Sequence, residues 1–380
     1  MNLRKSLALT LFLAAALASS GCSWVTGAFS GVGSALGLND TGTVIAKKAQ
    51  IRTSYAVVAS DLLEVKRGDT LDILDQIDFE KVLWYRVRAR DEDQTEGWIE
   101  AQNLILGDVL EKSKKLAAED NNAQPQATGL LRAKSNLRLT PDQNADNILL
   151  KLDSGSTFEI MSWKFVPKAQ EDKDADDNKN APPRARTRNE ELEAAREANE
   201  PEKLDEKYDI WYKVRLDPSV SPAPSGWLFG RQVELQVPND IVFYQQNNKK
   251  FVTWQRIDAV DTSLKDEAKT AKPSSWIILT RTNDVKAIDG EEPDFDGVLL
   301  LGYDKYDQSH YRVYPLIGDV WGKLPLTVEG TSDNRTFTLR LRNTATGQID
   351  EKRFQVTLTN NRYRLKPPED LNAYETAKGR

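Results

Sequence analysis

Histidine and cysteine supply many of the bases, nucleophiles and zinc ligands that enzymes use, and this sequence has one of each, His310 and Cys22. One cysteine cannot form a disulfide within a chain, and one Cys with one His falls short of a zinc site. Any His-based triad is therefore confined to His310, and any thiol nucleophile to Cys22. His310 opens an alternating, strand-like run, Gln308-Ser309-His310-Tyr311-Arg312, with Asp304 and Asp307 near it in sequence. That pattern places it at the surface or on an edge strand rather than in a catalytic dyad. Glu291, Glu292, Asp294 and Asp296 offer oxygen ligands of the kind Ca²⁺ takes, but at no EF-hand spacing, so they read as a solvated acidic loop. With 58 acidic residues, a hydrolase needing two well-placed carboxylates stays open as the alternative reading. No catalytic residue, metal ligand or cofactor is expected. A net charge of -6 and a mean hydropathy of -0.57 oppose nucleic-acid binding, which calls for a basic face.

What surrounds Cys22 gives it a different chemistry. Arg4 and Lys5 precede an uncharged apolar run from Leu7 to Ala18, too short to cross about 30 Å of hydrocarbon, and residues 1–21 read as an export signal. The run leads into Ala18-Ser19-Ser20-Gly21-Cys22. This resembles the bacterial lipoprotein lipobox, with Ser19 where the family usually has Leu. The resemblance implies that Cys22 receives a diacylglyceryl thioether and becomes the acylated mature N-terminus. Several acyl chains, at about 0.8 kcal/mol per buried methylene, would anchor it to the membrane. Ser rather than Asp at position 23 implies, in a Gram-negative cell, an outer-membrane location facing the periplasm. The alternative for Cys22 is a spare thiol near an ordinary cleavage site. Residues 22–43 are rich in Gly, Ser and Ala and nearly uncharged, which predicts a flexible tether.

The remaining chemistry-bearing residues are aromatic, and a repeat positions them. One copy runs through Ile51-Arg52, Gly68 with Thr70 to Leu74, Trp84-Tyr85-Arg86-Val87-Arg88 and Gly97-Trp98-Ile99. A second runs through Leu137-Arg138, Gly155 with Thr157 to Met161, Trp211-Tyr212-Lys213-Val214-Arg215 and Gly226-Trp227-Leu228. The first pair and the glycine are 17 and 18 residues apart, and the two tryptophans 14 and 16. Only the interval from glycine to tryptophan differs strongly, 16 against 56 residues, so the second copy carries one insertion. Leu71 and Ile73, like Phe158 and Ile160, alternate with polar neighbours as strands do, and Gly68 and Gly155 permit a turn before them. Gly97 and Gly226 are expected to let the chain turn sharply before an aromatic that seals a barrel end. Short, closely spaced strands without a helical period indicate small β-barrels.

The repeated pattern resembles the bacterial SH3 (SH3b) family, whose signature is a glycine-led strand followed by WYKV-like and GW-[IVL] motifs. It covers residues 44–107 and 128–237 and implies two SH3-like small barrels. The second copy keeps the family's turn at Arg138-Leu139-Thr140-Pro141, while the first lacks it. Barrels of this kind can bind peptides or glycan peptides in grooves lined by Tyr and Trp. Tyr55, Tyr85, Trp98, Tyr212 and Trp227 are the ligand-binding candidates, with Trp84 and Trp211 expected in the cores. Barrel packing is the competing role for all of them. In the family such barrels often target cell-wall peptidoglycan beside a Cys/His enzyme, which this sequence has no residues to build.

Residues 108–127 read as a polar linker, and 164–208 as a charged insertion that forms a solvated loop. Residues 241–366 hold no third copy. Their β-prone runs, among them Trp276 to Leu279 and Thr336 to Arg342, are separated by Asp289-Gly290, Asp333-Asn334 and Thr346-Gly347, which predicts an antiparallel β-sandwich or barrel. Residues 367–380 read as a frayed tail. The expected fold is mainly β: two SH3-like barrels, then an antiparallel β domain. The expected protein is a lipid-anchored cell-envelope binding or scaffold protein that contacts the membrane through its lipid and binds peptidoglycan or an envelope protein.

Overall fold

The computed structural model describes residues 41–168, 207–245, 249–258, 273–282, 284–331 and 333–376. The export signal, Cys22, the tether up to residue 40, residues 169–206 of the insertion and residues 377–380 lie outside the described residues.

The period-two alternation of the first copy builds a seven-stranded antiparallel sheet. Its strands are β1 (Thr41–Val44), β2 (Lys48–Arg52), β3 (Asp61–Lys66), β4 (Thr70–Phe79), β5 (Val82–Arg88), β6 (Glu96–Glu100) and β7 (Leu104–Leu106). A helix, α1 (Gly107–Ala118), leads to the second copy. That copy forms β8 (Ala127–Leu131), β9 (Ser135–Arg138), β10 (Ile148–Leu152), β11 (Thr157–Pro167), β12 (Tyr208–Arg215), β13 (Ser225–Phe229) and β14 (Val233–Leu235). The hydrogen-bonded orders are β3-β2-β6-β5-β4-β1-β7 and β10-β9-β13-β12-β11-β8-β14, the same topology position by position. The chain is mainly β, with two small SH3-like barrels. The insertion separates two long paired strands: Phe165 still pairs with Ile210 and Pro167 with Tyr208, so 164–167 are strand rather than loop.

The repeated landmarks have packing causes. Gly68 and Gly155 have φ of +93° and +82°, the left-handed region glycine enters at no steric cost. Gly97 and Gly226 sit inside strands, not at turns. A Cβ on Gly97 would lie 2.5 Å from the Arg52 carbonyl oxygen, and one on Gly226 2.6 Å from Leu137 Cγ, so these glycines admit the neighbouring strand.

The C-terminal region is a sandwich of two four-stranded antiparallel meanders. One contains β15 (Lys250–Arg256), β16 (Trp276–Arg281), β17 (Gly297–Asp304) and β18 (Ser309–Arg312); the other β19 (Gly322–Thr331), β20 (Asn334–Arg342), β21 (Ile349–Thr359) and β22 (Arg362–Lys366). All six residues of β16 are buried because its sheet is covered on both sides. Ile277 and Leu279 face the sandwich core with Leu326, Phe337 and Phe354. Trp276 and Ile278 face a second cluster that runs through the second barrel to Leu110 of α1 and Ile105 of β7.

Three segments are more ordered than their polarity predicts. Within 108–127, α1 buries Leu110 and Ser113, and Gln126 is fully buried. Residues 41–43, assigned to the tether, pair with β4 and β7. In the tail, Leu371 and Tyr374 are buried, Tyr374 donates to Asp350 Oδ2 (2.7 Å), and Thr376 N donates to the Asp319 carbonyl (2.7 Å). In each case a few apolar or hydrogen-bonding side chains in a polar stretch find a groove that only the assembled sheets create.

Candidate functional site

The first barrel brings two of the aromatic candidates together. Arg52 Nη2 donates to the carbonyls of Val57 (3.1 Å) and Ala59 (2.9 Å), and Thr53 N donates to Ser60 O (2.9 Å). This clamp holds the β2–β3 loop so that Tyr55 packs against Trp98 edge-on (centroids 5.2 Å, 88°) and against Phe79 (5.0 Å). Beside the rings, Val57 and Val58 are 81% and 92% exposed. In β6, Trp98 pairs with Arg52 on one side and Arg86 on the other, so all three share the outer face of the barrel. Arg86 and Arg88 both hold Glu96, at 2.8 and 2.7 Å, and keep its carboxyl below the usual range, Arg88 most strongly.

The same face of the second barrel is built alike. Trp227 pairs with Arg138 and Lys213. Arg138 again clamps its loop, on the Asn144 carbonyl and on Asn147 Oδ1 (2.7 Å), but Pro141 stands where the first barrel has Tyr55. The end of α1 lies over this face. Lys213 Nζ pairs with Glu119 (2.7 Å) and Asp120 (2.6 Å), and Arg215 Nη2 donates to the carbonyls of Asp120 (2.8 Å) and Ala123 (3.2 Å).

The other candidates lie elsewhere. Tyr85 is in the core of the first barrel, because alternation puts it on the inner face with Val87; its exclusion from water raises the phenol pKa, helped by Asp108. That removes it from the ligand-binding set. Trp84 and Trp211 are buried, Trp211 against Phe229 (5.2 Å). Tyr212 lines a cavity of about 270 Å³ between the second barrel and the sandwich, with Trp163, Phe165, Phe251, Arg281 and Asp294.

The acidic cluster is not a solvated loop. Asp296 is 1% exposed and accepts from Thr282 N (2.7 Å) and Thr282 Oγ1 (3.0 Å). Asp294 accepts from Leu324 N (2.9 Å), and burial raises its pKa despite Lys323. Glu292 pairs with Arg281 at 2.7 Å. Phe295, fully buried between them, draws the segment inward, and the carboxylates then satisfy backbone donors that would otherwise be orphaned. Among the described residues no group of His, Cys, Asp and Glu could hold a metal ion.

His310 lies on the edge strand β18, paired with Tyr303, yet its side chain is only 7% exposed. Its Nε2 is 2.8 Å from the Ser274 carbonyl, which assigns the proton to that nitrogen, and 3.7 Å from Asp240 Oδ2. Asp240 in turn accepts from Ser274 N (3.0 Å) and Trp276 Nε1 (2.8 Å). The surface expectation for His310 fails because the segment linking second barrel and sandwich covers this edge, with Tyr244 against the imidazole.

No family model and no curated protein matches the chain. Among solved structures it is similar to NlpC2 from Trichomonas vaginalis, at 11% identity over 89% of this chain and 95% of that one, with a TM-score of 0.16, too low to bear on fold or activity.

Proposed function

We propose that this is a lipid-anchored binding or scaffold protein of the cell envelope, not an enzyme, held at the outer membrane on the periplasmic side through acylated Cys22. Its first barrel would bind peptidoglycan or an envelope protein. The observation that supports this reading is the Tyr55, Trp98 and Phe79 surface: three rings from a loop and two strands, clamped by Arg52, beside two exposed valines. Rigid amphipathic rings give contact area at small entropy cost. Hydrolysis is less well supported, because Asp294, Asp296 and His310 already engage backbone groups.

The test is a sacculus pelleting assay on lipid-free protein, run beside muropeptide release. The expected result is retention without release, and about tenfold weaker retention for Trp98→Ala, the usual scale for a well-packed aromatic anchor. Release of muropeptides would instead support the carboxylate-dependent hydrolase. No pelleting at low and moderate salt would remove peptidoglycan and leave the protein-partner reading.

A further inference from the structure

The two barrels share a topology, so each outer-face residue of one has a counterpart in the other. Arg52, Trp98 and Arg86 correspond to Arg138, Trp227 and Lys213, and Glu96, opposite Arg88, corresponds to Ser225, opposite Arg215. In the second barrel this face is occupied by the chain itself. Ser113 of α1 bonds Ser225 (2.6 Å to its carbonyl), and the adjacent carboxylates Glu119 and Asp120 meet Lys213. The following turn then offers the Asp120 and Ala123 carbonyls to Arg215. The consequence is measurable as burial: the Lys213 side chain is 6% exposed, its counterpart Arg86 47%.

From this internal precedent we infer that the Arg86, Arg88 and Trp98 face of the first barrel docks an acidic segment of a partner protein, two adjacent carboxylates followed by a short turn of backbone. The segment seated on the second barrel chooses the partner, which must also displace or share the carboxylates that Asp75 and Asp72 place opposite Arg86 and Arg88. Two guanidiniums here share the single carboxylate of Glu96. Each guanidinium has five N–H donors, so both can donate to further oxygens. Glu96 holds the position that Ser225 holds in the filled barrel, in a solvent-screened surface pairing, so an incoming carboxylate can compete with it. The rings of Tyr55 and Trp98 border the arginines and give the segment an apolar shoulder. The inference rests on the first barrel being the binding face and names what it binds.

The test uses the whole mature chain with Ser in place of Cys22 and, as probe, a synthetic peptide with the sequence of residues 107–124, which carries the two carboxylates. Binding is followed by NMR at the first-barrel amides and arginine Nε groups. The expected result is a dissociation constant of about 1 mM or tighter that weakens several-fold between about 50 and 200 mM salt. Arg86→Ala and Trp98→Ala should weaken it, and a peptide with Gln and Asn in place of the two carboxylates should bind at least about tenfold less well. Glu96→Gln, which removes the internal competitor and disturbs only an exposed pair, should tighten binding several-fold. A purely structural role for the arginines predicts no tightening. The inference is overturned if no first-barrel resonance moves up to about 2 mM peptide, if the Gln/Asn peptide binds equally well, or if Glu96→Gln leaves affinity unchanged. Pelleting with sacculi while the peptide fails would overturn this inference and leave the broader binding function standing.

Discussion

Gln126 permits a sharp test of how the barrels and the sandwich are joined. Its side-chain amide binds both backbone groups of one residue of β19: Leu326 N donates to Gln126 Oε1 (2.8 Å), and Gln126 Nε2 donates to the Leu326 carbonyl (3.2 Å). Gln124 does the same two residues on, accepting from Val328 N (3.0 Å) and donating to the Val328 carbonyl (2.9 Å). Two glutamine side chains therefore stand in for a strand along the free edge of β19. Gln126 and Leu326 are both fully buried, whereas Gln124 is exposed, so only the first site lacks access to water. Gln126→Leu keeps the volume and leaves a buried N–H and a buried C=O without partners. Each such group costs about 1–3 kcal/mol, and the lower end of the pair, about 2 kcal/mol, corresponds to roughly thirtyfold faster opening. Amide hydrogen exchange of Leu326 should accelerate by about that factor. The exchange of Thr327 should change far less, because alternation turns that residue toward Thr338 of β20. Gln124→Leu should change Val328 exchange less, since water can replace the lost partner. Unchanged Leu326 protection in Gln126→Leu, or equal effects of the two substitutions, would refute the reasoning.

Three further outcomes follow from the packing. Gly97→Ala and Gly226→Ala should each destabilise their own barrel by about 1–3 kcal/mol in denaturant unfolding followed by barrel-specific probes, since each Cβ would overlap the adjacent strand. Neutralising both Glu119 and Asp120 should cost about 3–5 kcal/mol by leaving the buried Lys213 ammonium without a counter-charge, and adding Lys213→Met should recover most of the loss. Asp294 is raised in the folded state by burial, so the stability it confers is present below its unfolded pKa and is lost as pH rises through the folded value. Asp294→Asn, which still accepts from Leu324 N, should therefore raise the melting temperature at neutral pH, with the gain shrinking as pH falls toward 4, about the unfolded value.

The duplication was legible in the residue order, because most landmarks answer a local demand, Gly97 and Gly226 excepted. Gly68 and Gly155 are required by a positive φ, and Arg52 and Arg138 by the loops whose carbonyls they hold. Leu71, Ile73, Phe158 and Ile160 turn inward at period two. The Trp276-Ile277-Ile278-Leu279 run signalled a strand, and the structure adds that both its faces are buried. Burial of polar residues was not legible. Asp294, Asp296, His310 and Gln126 have nothing in their neighbours' types that marks them as interior, since each is buried by donors or acceptors far away in the chain.

The candidate face divides the same way. Sequence alone determined that Trp98 and Trp227 occupy equivalent places, because spacing along a strand fixes which side chains share a face. Only the tertiary structure decided that, among the described residues, one face is filled and the other is not. That depends on where the end of α1 comes to rest, and a helix is placed by the surfaces it packs against, Ser225, Lys213 and Arg215 here, more than by its own residues.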